Sequence, residues 1–285
     1  MGVVFEASPC SLMGKPLYDK IKVILLPRVS MEPSFEVLIA AQNAKISNFE
    51  RSDLKAVDVL VVNQSTASLP VQSKGKLRFL SFQETGIAMS RNRALENAKG
   101  DILLISDDDV TFPKGAFQRI EKAFEDNPEF DILTFQVQTP SGAAYRRYPT
   151  DSFEHNRFTI LAVSSIAIAM RRKSIGPALR FDERFGLGRE ISAGEENIFL
   201  ADALKAGLRL KYIPQVIVIH PERRPVPLGH PYFYTRGAVF KRLYGPFLGL
   251  AMGLLFCAKK SLFDKEAGLF KALGSFAQGF RVRVA

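Results

Sequence analysis

The 285-residue sequence contains few thiol, imidazole or indole side chains: two cysteines, Cys10 and Cys257, three histidines and no tryptophan. The two cysteines supply neither a disulfide framework nor the paired spacing of a zinc site, and they fit a reducing compartment. The N-terminal residues lack a basic stretch followed by a sustained apolar run, so no secretory signal is expected. The sequence therefore favours a cytoplasmic protein.

An uninterrupted apolar run of the length expected for a membrane-spanning helix is also missing. The longest run of apolar or small residues spans 245–258 and is closed by Lys259 and Lys260, whereas a spanning helix needs about 20 residues. We expect residues 231–285 to form a helical segment in peripheral contact with an anionic membrane, on the inner face of the cell membrane. Packing against the rest of the chain, or in a dimer interface, is the alternative.

Acidic residues are fewer than basic ones, 29 against 39, which gives a net charge of +10. This excess is concentrated after Arg223 and favours polyanionic partners, including anionic lipid, nucleic acid and phosphate-bearing substrates. A solvated basic surface without a partner is the alternative. No internal repeat is visible.

From residue 35 onward, apolar runs of strand length alternate with helical patterns. Strands are predicted at 35–41, 56–63, 76–82, 102–106, 131–137, 164–170 and, as two short strands, within 208–220; helices are predicted at 85–100, from Pro113 and at 194–207. Gly100 is expected to be a left-handed helix cap, and Pro113 the first residue of its helix. Continuous apolar runs indicate an α/β sheet covered by helices on both faces.

The chain divides into three predicted regions. Residues 1–34 form an extension with one strand at 21–26, residues 35–230 form the main α/β domain, and residues 231–285 form the C-terminal helical segment.

Three consecutive carboxylates, Asp107, Asp108 and Asp109, directly follow the strand 102–106. Adjacent negative charges repel, and carboxylate oxygens are suitable ligands for Mg²⁺ or Mn²⁺. Ligands of α/β sheets bind beyond the C-terminal ends of the strands, where residues 42–43 and 63–65 also lie. The sequence thus predicts a site at this edge, with a solvated acidic turn as the alternative.

Three further features contain side chains that could take part in binding or catalysis. Glu195 and Glu196 begin the predicted helix 194–207, either as capping acids or with one acting as a general base of raised pKa. His220, near Arg223 and Arg224, ends a strand and is either a metal or diphosphate contact or an ordinary surface histidine. Arg91 shares a helical stripe with apolar residues, so it is expected to point inward, where arginine can bind phosphate.

Taken together, these segments resemble the family 2 glycosyltransferases, which have the GT-A fold. The resemblance rests on "TGIAMSRNRALENAKGDILLISDDDV", "FDERFGLG", "GEENIFL" and "GLRLKYIPQVIVIH", covers roughly residues 35–220, and is strongest to bacterial enzymes that build cell-surface polysaccharide. It implies a GT-A (Rossmann-like), mainly parallel mixed sheet.

The resemblance also implies roles for individual residues. The nucleotide site would comprise Gln42, Asn43, Asn63, Gln64, Arg91, Asp107 and Asp108, and the metal ligands would be Asp109 and His220, holding Mn²⁺ or Mg²⁺. Many members have aspartate where this chain has Asn63, and a neutral amide there can still hydrogen-bond uracil or ribose. Glu196 matches the catalytic base, often an aspartate there, and Glu195 is its neighbour; the longer glutamate side chain leaves their roles exchangeable.

The resemblance implies metal-dependent, inverting transfer of a sugar from a nucleotide sugar to a hydroxyl of a saccharide or lipid-linked acceptor. The expected donor is a UDP-sugar, and no nucleic-acid partner is expected. One alternative is a sugar-phosphate nucleotidyltransferase, although "VLIAAQNAK" lacks that class's glycine-rich phosphate loop. The other is a non-catalytic basic module that binds membrane or polyanions, but it leaves the aspartates and the glutamate pair unexplained.

Overall fold

A nine-stranded mixed sheet forms the centre of the molecule. The computed structural model describes residues 33–66, 70–222, 227–263 and 268–283; the predicted strand 21–26 and the pair Arg223 and Arg224 lie outside these ranges. The strands are β1 (Phe35–Gln42), β2 (Asp58–Gln64), β3 (Gln72–Lys74), β4 (Leu77–Phe82), β5 (Ile102–Asp107), β6 (Ile132–Gln138), β7 (Phe153–Glu154), β8 (Ile168–Arg171) and β9 (Leu210–Ile219). Their spatial order is β3-β4-β2-β1-β5-β8-β6-β9-β7.

The parallel part of the sheet explains the continuous apolar runs of the sequence. β1 lies between β2 and β5, parallel to both, and β4 continues this parallel block beside β2. Side chains on both faces of β1 are buried from Phe35 to Ala41, as expected for a strand covered on both sides.

Helices cover both faces. They are α1 (Ile87–Asn97), α2 (Ala116–Asp126), α3 (Glu195–Lys205), α4 (His230–Phe263) and α5 (Leu269–Arg281), with short 3₁₀ turns at Ile46–Phe49, Ser52–Leu54, Thr159–Ala162, Ser165–Ala167 and Arg172–Ser174. One face packs against α1, α3, α4 and α5, and the other against α2 and the first two 3₁₀ turns. The predicted α/β sheet with helices on both faces and a C-terminal helical segment is confirmed.

Two local predictions about helix ends are wrong. Gly100 is not left-handed, since α1 already ends at Asn97 and Gly100 is absent from the positive-φ residues. Glycine is required at position 100 because β1 passes close by: a Cβ there would lie 2.6 Å from the Cβ of Glu36 in β1. Pro113 precedes α2 by a turn, and Gly115, at φ 77°, is the residue before the helix.

The predicted strands differ from the structure in three places. The segment 164–170 is half 3₁₀ turn, and only its end forms β8. The two strands predicted within 208–220 are the single strand β9, whose register against β6 shifts at Gln136. The short edge strands β3 and β7 were not predicted, because they contain few apolar residues to mark them.

Candidate active site

The sheet brings the polar strand ends together. In the parallel register, Gln42 of β1 lies opposite Gln64 of β2, and Ala40 of β1 lies opposite Asp107 of β5. The C-terminal ends of three neighbouring strands therefore meet at one edge, as the sequence indicated.

A crevice opens along this edge, with two connected parts. The first has a volume of about 430 Å³, within the range of small-molecule sites, and is lined by Ala40, Ala41, Gln42, Gln64, Thr85, Gly86, Ile87, Ser90, Asp107, Asp108, Asp109, Leu187 and Gly188. The second, of about 330 Å³, shares Gln42, Gln64 and Thr85 with the first and adds Asn43. One part of the crevice is thus rich in carboxylates and the other in amides.

The two predicted amides of β2 have different surroundings. Asn63 is buried and does not line the crevice; its Oδ1 accepts a hydrogen bond from the backbone N–H of Ala44 (2.9 Å), and its Nδ2 donates to Ser81 (3.2 Å). Gln64 does line the crevice, and both ends of its amide bind the backbone of Gly86, at 3.0 and 3.1 Å. Asn63 therefore fixes the loop after β1, and Gln64 fixes the start of α1.

Arg91 joins the aspartates to the glutamate pair. Its guanidinium is 3% exposed and donates to Glu195 (2.7 Å), Asp107 (3.1 Å) and Ser165 (2.9 Å). Burial lowers the pKa of Arg91, but the charges of Asp107 and Glu195 outweigh it and raise the pKa overall. Arg91 is therefore a permanent cation that fixes β5 against the N-terminus of α3.

The two glutamates of α3 are not equivalent. Glu195 is buried and paired with Arg91. Glu196 is half-buried, and no ion pair to it is found in the part of the chain that the structure describes. Burial, and then the negative charge of Glu195, raise the pKa of Glu196 to about 7. A carboxylate that exchanges its proton near neutral pH is suited to general base catalysis.

The three aspartates also differ. Asp107 is held by Arg91. Burial raises the pKa of Asp108, opposed by a hydrogen bond from the backbone of Gln42 and reinforced by the charges of Asp109 and Asp107. Asp109 is exposed, with 55% of its side chain accessible, against 27% for Asp107.

Asp109 and His220 form a pair suited to a cation. Nε2 of His220 lies 3.5 Å from Oδ2 of Asp109, and Nδ1 of the same ring lies 2.6 Å from the carbonyl oxygen of Pro221. Because a carbonyl oxygen can only accept, Nδ1 carries the hydrogen, and in the neutral ring Nε2 turns its lone pair towards the carboxylate. A divalent ion placed between these two atoms would accept a lone pair from each.

The carboxylate of Asp109 and the imidazole of His220 fit a divalent ion whose other ligands come from outside this pair. Among the described residues no group of three His, Cys, Asp or Glu could hold a metal. One carboxylate and one imidazole suit Mn²⁺ better than Mg²⁺, which prefers oxygen ligands. Substrate oxygens would have to complete the coordination.

One family model matches part of the chain. Residues 55–185 match the model of glycosyl transferase family 2. The predicted resemblance to this family is confirmed, and the match supports glycosyltransferase activity. The family 2 segment includes Asn63, Gln64, Arg91 and the three aspartates.

Solved structures of S. aureus TarS have the same fold. TarS 1-349 in complex with UDP is 18% identical, with a TM-score of 0.56 over 87% of this chain and 81% of that chain. TarS 1-349 in complex with UDP-GlcNAc is 16% identical, with a TM-score of 0.56 over 86% and 81%. No curated protein sequence matches the chain. At these identities the likeness establishes the GT-A-like fold.

One wall of the crevice was not among the predicted site residues. It is the loop 185–188, at and just beyond the end of the family 2 segment, whose Leu187 carbonyl accepts the N–H of Ile87 at the start of α1 (3.0 Å). A Cβ on Gly188 (φ 82°) would lie 3.1 Å from the backbone of Gly86. The glycines in "FGLG" are the only sequence signal, and they do not reveal which helix the loop meets.

Proposed function

We propose that the protein is an inverting glycosyltransferase that moves a sugar from a nucleotide sugar, UDP-linked, to a hydroxyl of a saccharide or lipid-linked acceptor in surface polysaccharide synthesis. The observation that carries the proposal is the network around Arg91. It holds Asp107 of the crevice and the N-terminus of α3 in one arrangement. It engages Glu195, whereas Glu196 has no ion pair among the residues that the structure describes.

The two parts of the crevice suit the two ends of such a donor. Amide groups of Gln42 and Asn43 line the smaller part and can hydrogen-bond a base or ribose. The carboxylates of the larger part suit a diphosphate only with a cation present, because phosphate and carboxylate repel. Support for uridine as the base comes from the TarS structures, which hold UDP and UDP-GlcNAc.

The residues of the chain can perform a single displacement. Ionised Glu196 accepts the proton of the acceptor hydroxyl, and that oxygen bonds to the anomeric carbon as the bond to the nucleoside diphosphate breaks. Attack opposite the leaving group inverts the anomeric configuration. Asp109 and His220 would hold the divalent ion, which when bound would neutralise charge on the leaving diphosphate.

Transfer itself is the direct test. Purified protein with Mn²⁺ is incubated with a panel of nucleotide sugars and pooled saccharide acceptors, and release of nucleoside diphosphate and mass of the acceptor are measured. We expect release with one donor and an acceptor heavier by one sugar. A protein that binds nucleotide but transfers no sugar from any donor would contradict the proposed reaction.

The metal pair gives a separate prediction. Asp109→Asn keeps the shape of the side chain but removes the charge, and should weaken nucleoside diphosphate binding in Mn²⁺ by about tenfold or more. Without Mn²⁺ the affinity should not fall, because the lost carboxylate repels the diphosphate; titration calorimetry measures both affinities. Asp126→Asn, on the exposed surface of α2, is the matched control. Equal losses with and without Mn²⁺ would show that Asp109 does not bind the metal.

The pKa of Glu196 predicts the pH profile. Because burial raises that pKa to about 7, the base is protonated and inactive below this pH. At saturating Mn²⁺, kcat/KM should rise about tenfold per pH unit below neutrality and level off above it. Glu195→Gln removes a negative neighbour and should move the rising limb to lower pH. If the rising part of the pH profile does not move in Glu195→Gln, it reports the titration of a group other than Glu196.

A further inference from the structure

The outer side of the second half of α4 is apolar without interruption. Gly245, at φ 75° and ψ −174°, divides the helix before Pro246. Beyond it the large exposed residues are Phe247, Leu250, Leu254, Leu255 and Leu262, with 90%, 43%, 47%, 73% and 81% exposure. At 3.6 residues per turn these positions fall within one half of the helix circumference. We call these five residues the α4 apolar face.

The opposite side of the same helix is covered by protein. Gly249, Gly253 and Cys257 are buried at four-residue spacing, and a Cβ on Gly253 would overlap the ring of Phe276 in α5. One side of this half of α4 therefore packs against protein, and the opposite, apolar side is exposed. Contiguous exposed apolar surface of this kind marks an interaction site.

Crossing a bilayer does not fit this packing. By length and composition alone, His230–Leu262 qualifies as a helix that could span a membrane. However, Phe233, Val239 and Phe240 of its first half are buried in the sheet-facing core. The helix can thus meet lipid along one side only.

The charge around the face indicates an anionic partner. Between residues 246 and 283 the sequence carries six cations against two acids, Asp264 and Glu266; the cations are Lys259, Lys260, Lys265, Lys271, Arg281 and Arg283. The first turn of α5 adds exposed Leu269 (40%) and Phe270 (89%). A second copy of the chain would bring these cations against their own equivalents, whereas anionic lipid headgroups would pair with them.

We propose that the α4 apolar face, with the first turn of α5, docks the protein on an anionic lipid bilayer, the helix lying in the plane of the headgroups. This surface is separate from the crevice and does not depend on the reaction assigned to it. Docking would bring the enzyme to acceptors that are held in the membrane.

Vesicle sedimentation with the full-length protein tests the proposal. Vesicles of phosphatidylcholine are compared with vesicles that also contain phosphatidylglycerol, at low and high salt, and size-exclusion chromatography with light scattering records the oligomeric state. The variant is Leu255→Glu. Val71→Glu is the matched control, since it makes the same charge change at an aliphatic residue of 66% exposure far from α4 in the sequence. The thermal midpoint of each variant verifies folding, and Phe247→Glu replaces Leu255→Glu if that variant does not fold.

We expect binding to the phosphatidylglycerol vesicles that weakens with salt and falls about tenfold or more in Leu255→Glu, with little change in Val71→Glu. Absence of binding to the anionic vesicles would overturn the proposal. So would a stable dimer that Leu255→Glu converts to a monomer without any vesicle binding, because the face would then be a subunit contact. Equal loss in both variants would show a general charge effect rather than a docking face.

Discussion

Glu196→Gln is expected to lower kcat for sugar transfer by about 10²–10⁴-fold, the usual contribution of a general base. Glutamine keeps the size of the side chain but cannot accept the proton of the acceptor hydroxyl. The affinity for the nucleotide sugar should change little, because Arg91 and the aspartates remain in place. Initial rates with saturating donor and acceptor, together with donor titration, give both quantities.

The neighbouring residue supplies the comparison. Glu195 is committed to Arg91 at 2.7 Å, so Glu195→Gln should reduce kcat much less than Glu196→Gln and should also lower stability. Full turnover in Glu196→Gln with loss in Glu195→Gln would reverse these two roles. The sequence left them exchangeable, and the pairing of Glu195 with Arg91 and the raised pKa of Glu196 distinguish them.

The second large effect is on stability. Arg91→Met should lower the free energy of unfolding by about 3–5 kcal/mol, because it leaves the buried carboxylate of Glu195 and the partly buried one of Asp107 without their cation. Urea unfolding followed by circular dichroism measures the loss. Arg93→Met on the same helix is the control: its side chain is 42% exposed, and exposed ion pairs contribute about 0–1 kcal/mol.

A double variant separates lost charge pairing from lost packing. Neutralising Glu195 in Arg91→Met/Glu195→Gln removes one of the two unpaired carboxylates, so the combined loss should be smaller than the sum of the single losses. Additive losses would mean that Arg91 stabilises the fold independently of Glu195, through Asp107 or through packing against Phe181, whose ring centroid lies 5.6 Å away.

The sequence was sufficient for features that depend on local pattern. Buried parallel strands have continuous apolar runs, so β1, β2 and β5 were located within one or two residues, and with them the edge that carries Gln64 and the aspartates. The inward direction of Arg91 followed from its helical stripe, although its partner 104 positions away did not.

Features that depend on distant contacts were not predictable. The amide of Asn63 is used by Ala44 and Ser81 within the protein, and its residue type alone cannot distinguish that from a ligand contact. Gly100 is a glycine because β1 passes close by, not because a helix ends there. The wall formed by 185–188 requires knowing that this loop packs on α1.

Nucleotide binding in the crevice is tested most directly by thermal shift. The protein is melted with a panel of nucleoside diphosphates and nucleotide sugars, each with and without Mn²⁺, because a ligand that binds the native state raises its midpoint. We predict that UDP and at least one UDP-sugar raise the midpoint only with Mn²⁺, and that Asp109→Asn abolishes this Mn²⁺-dependent increase. No shift with any nucleotide, in the presence or absence of Mn²⁺, would contradict a nucleotide-sugar site between β1, β2 and β5.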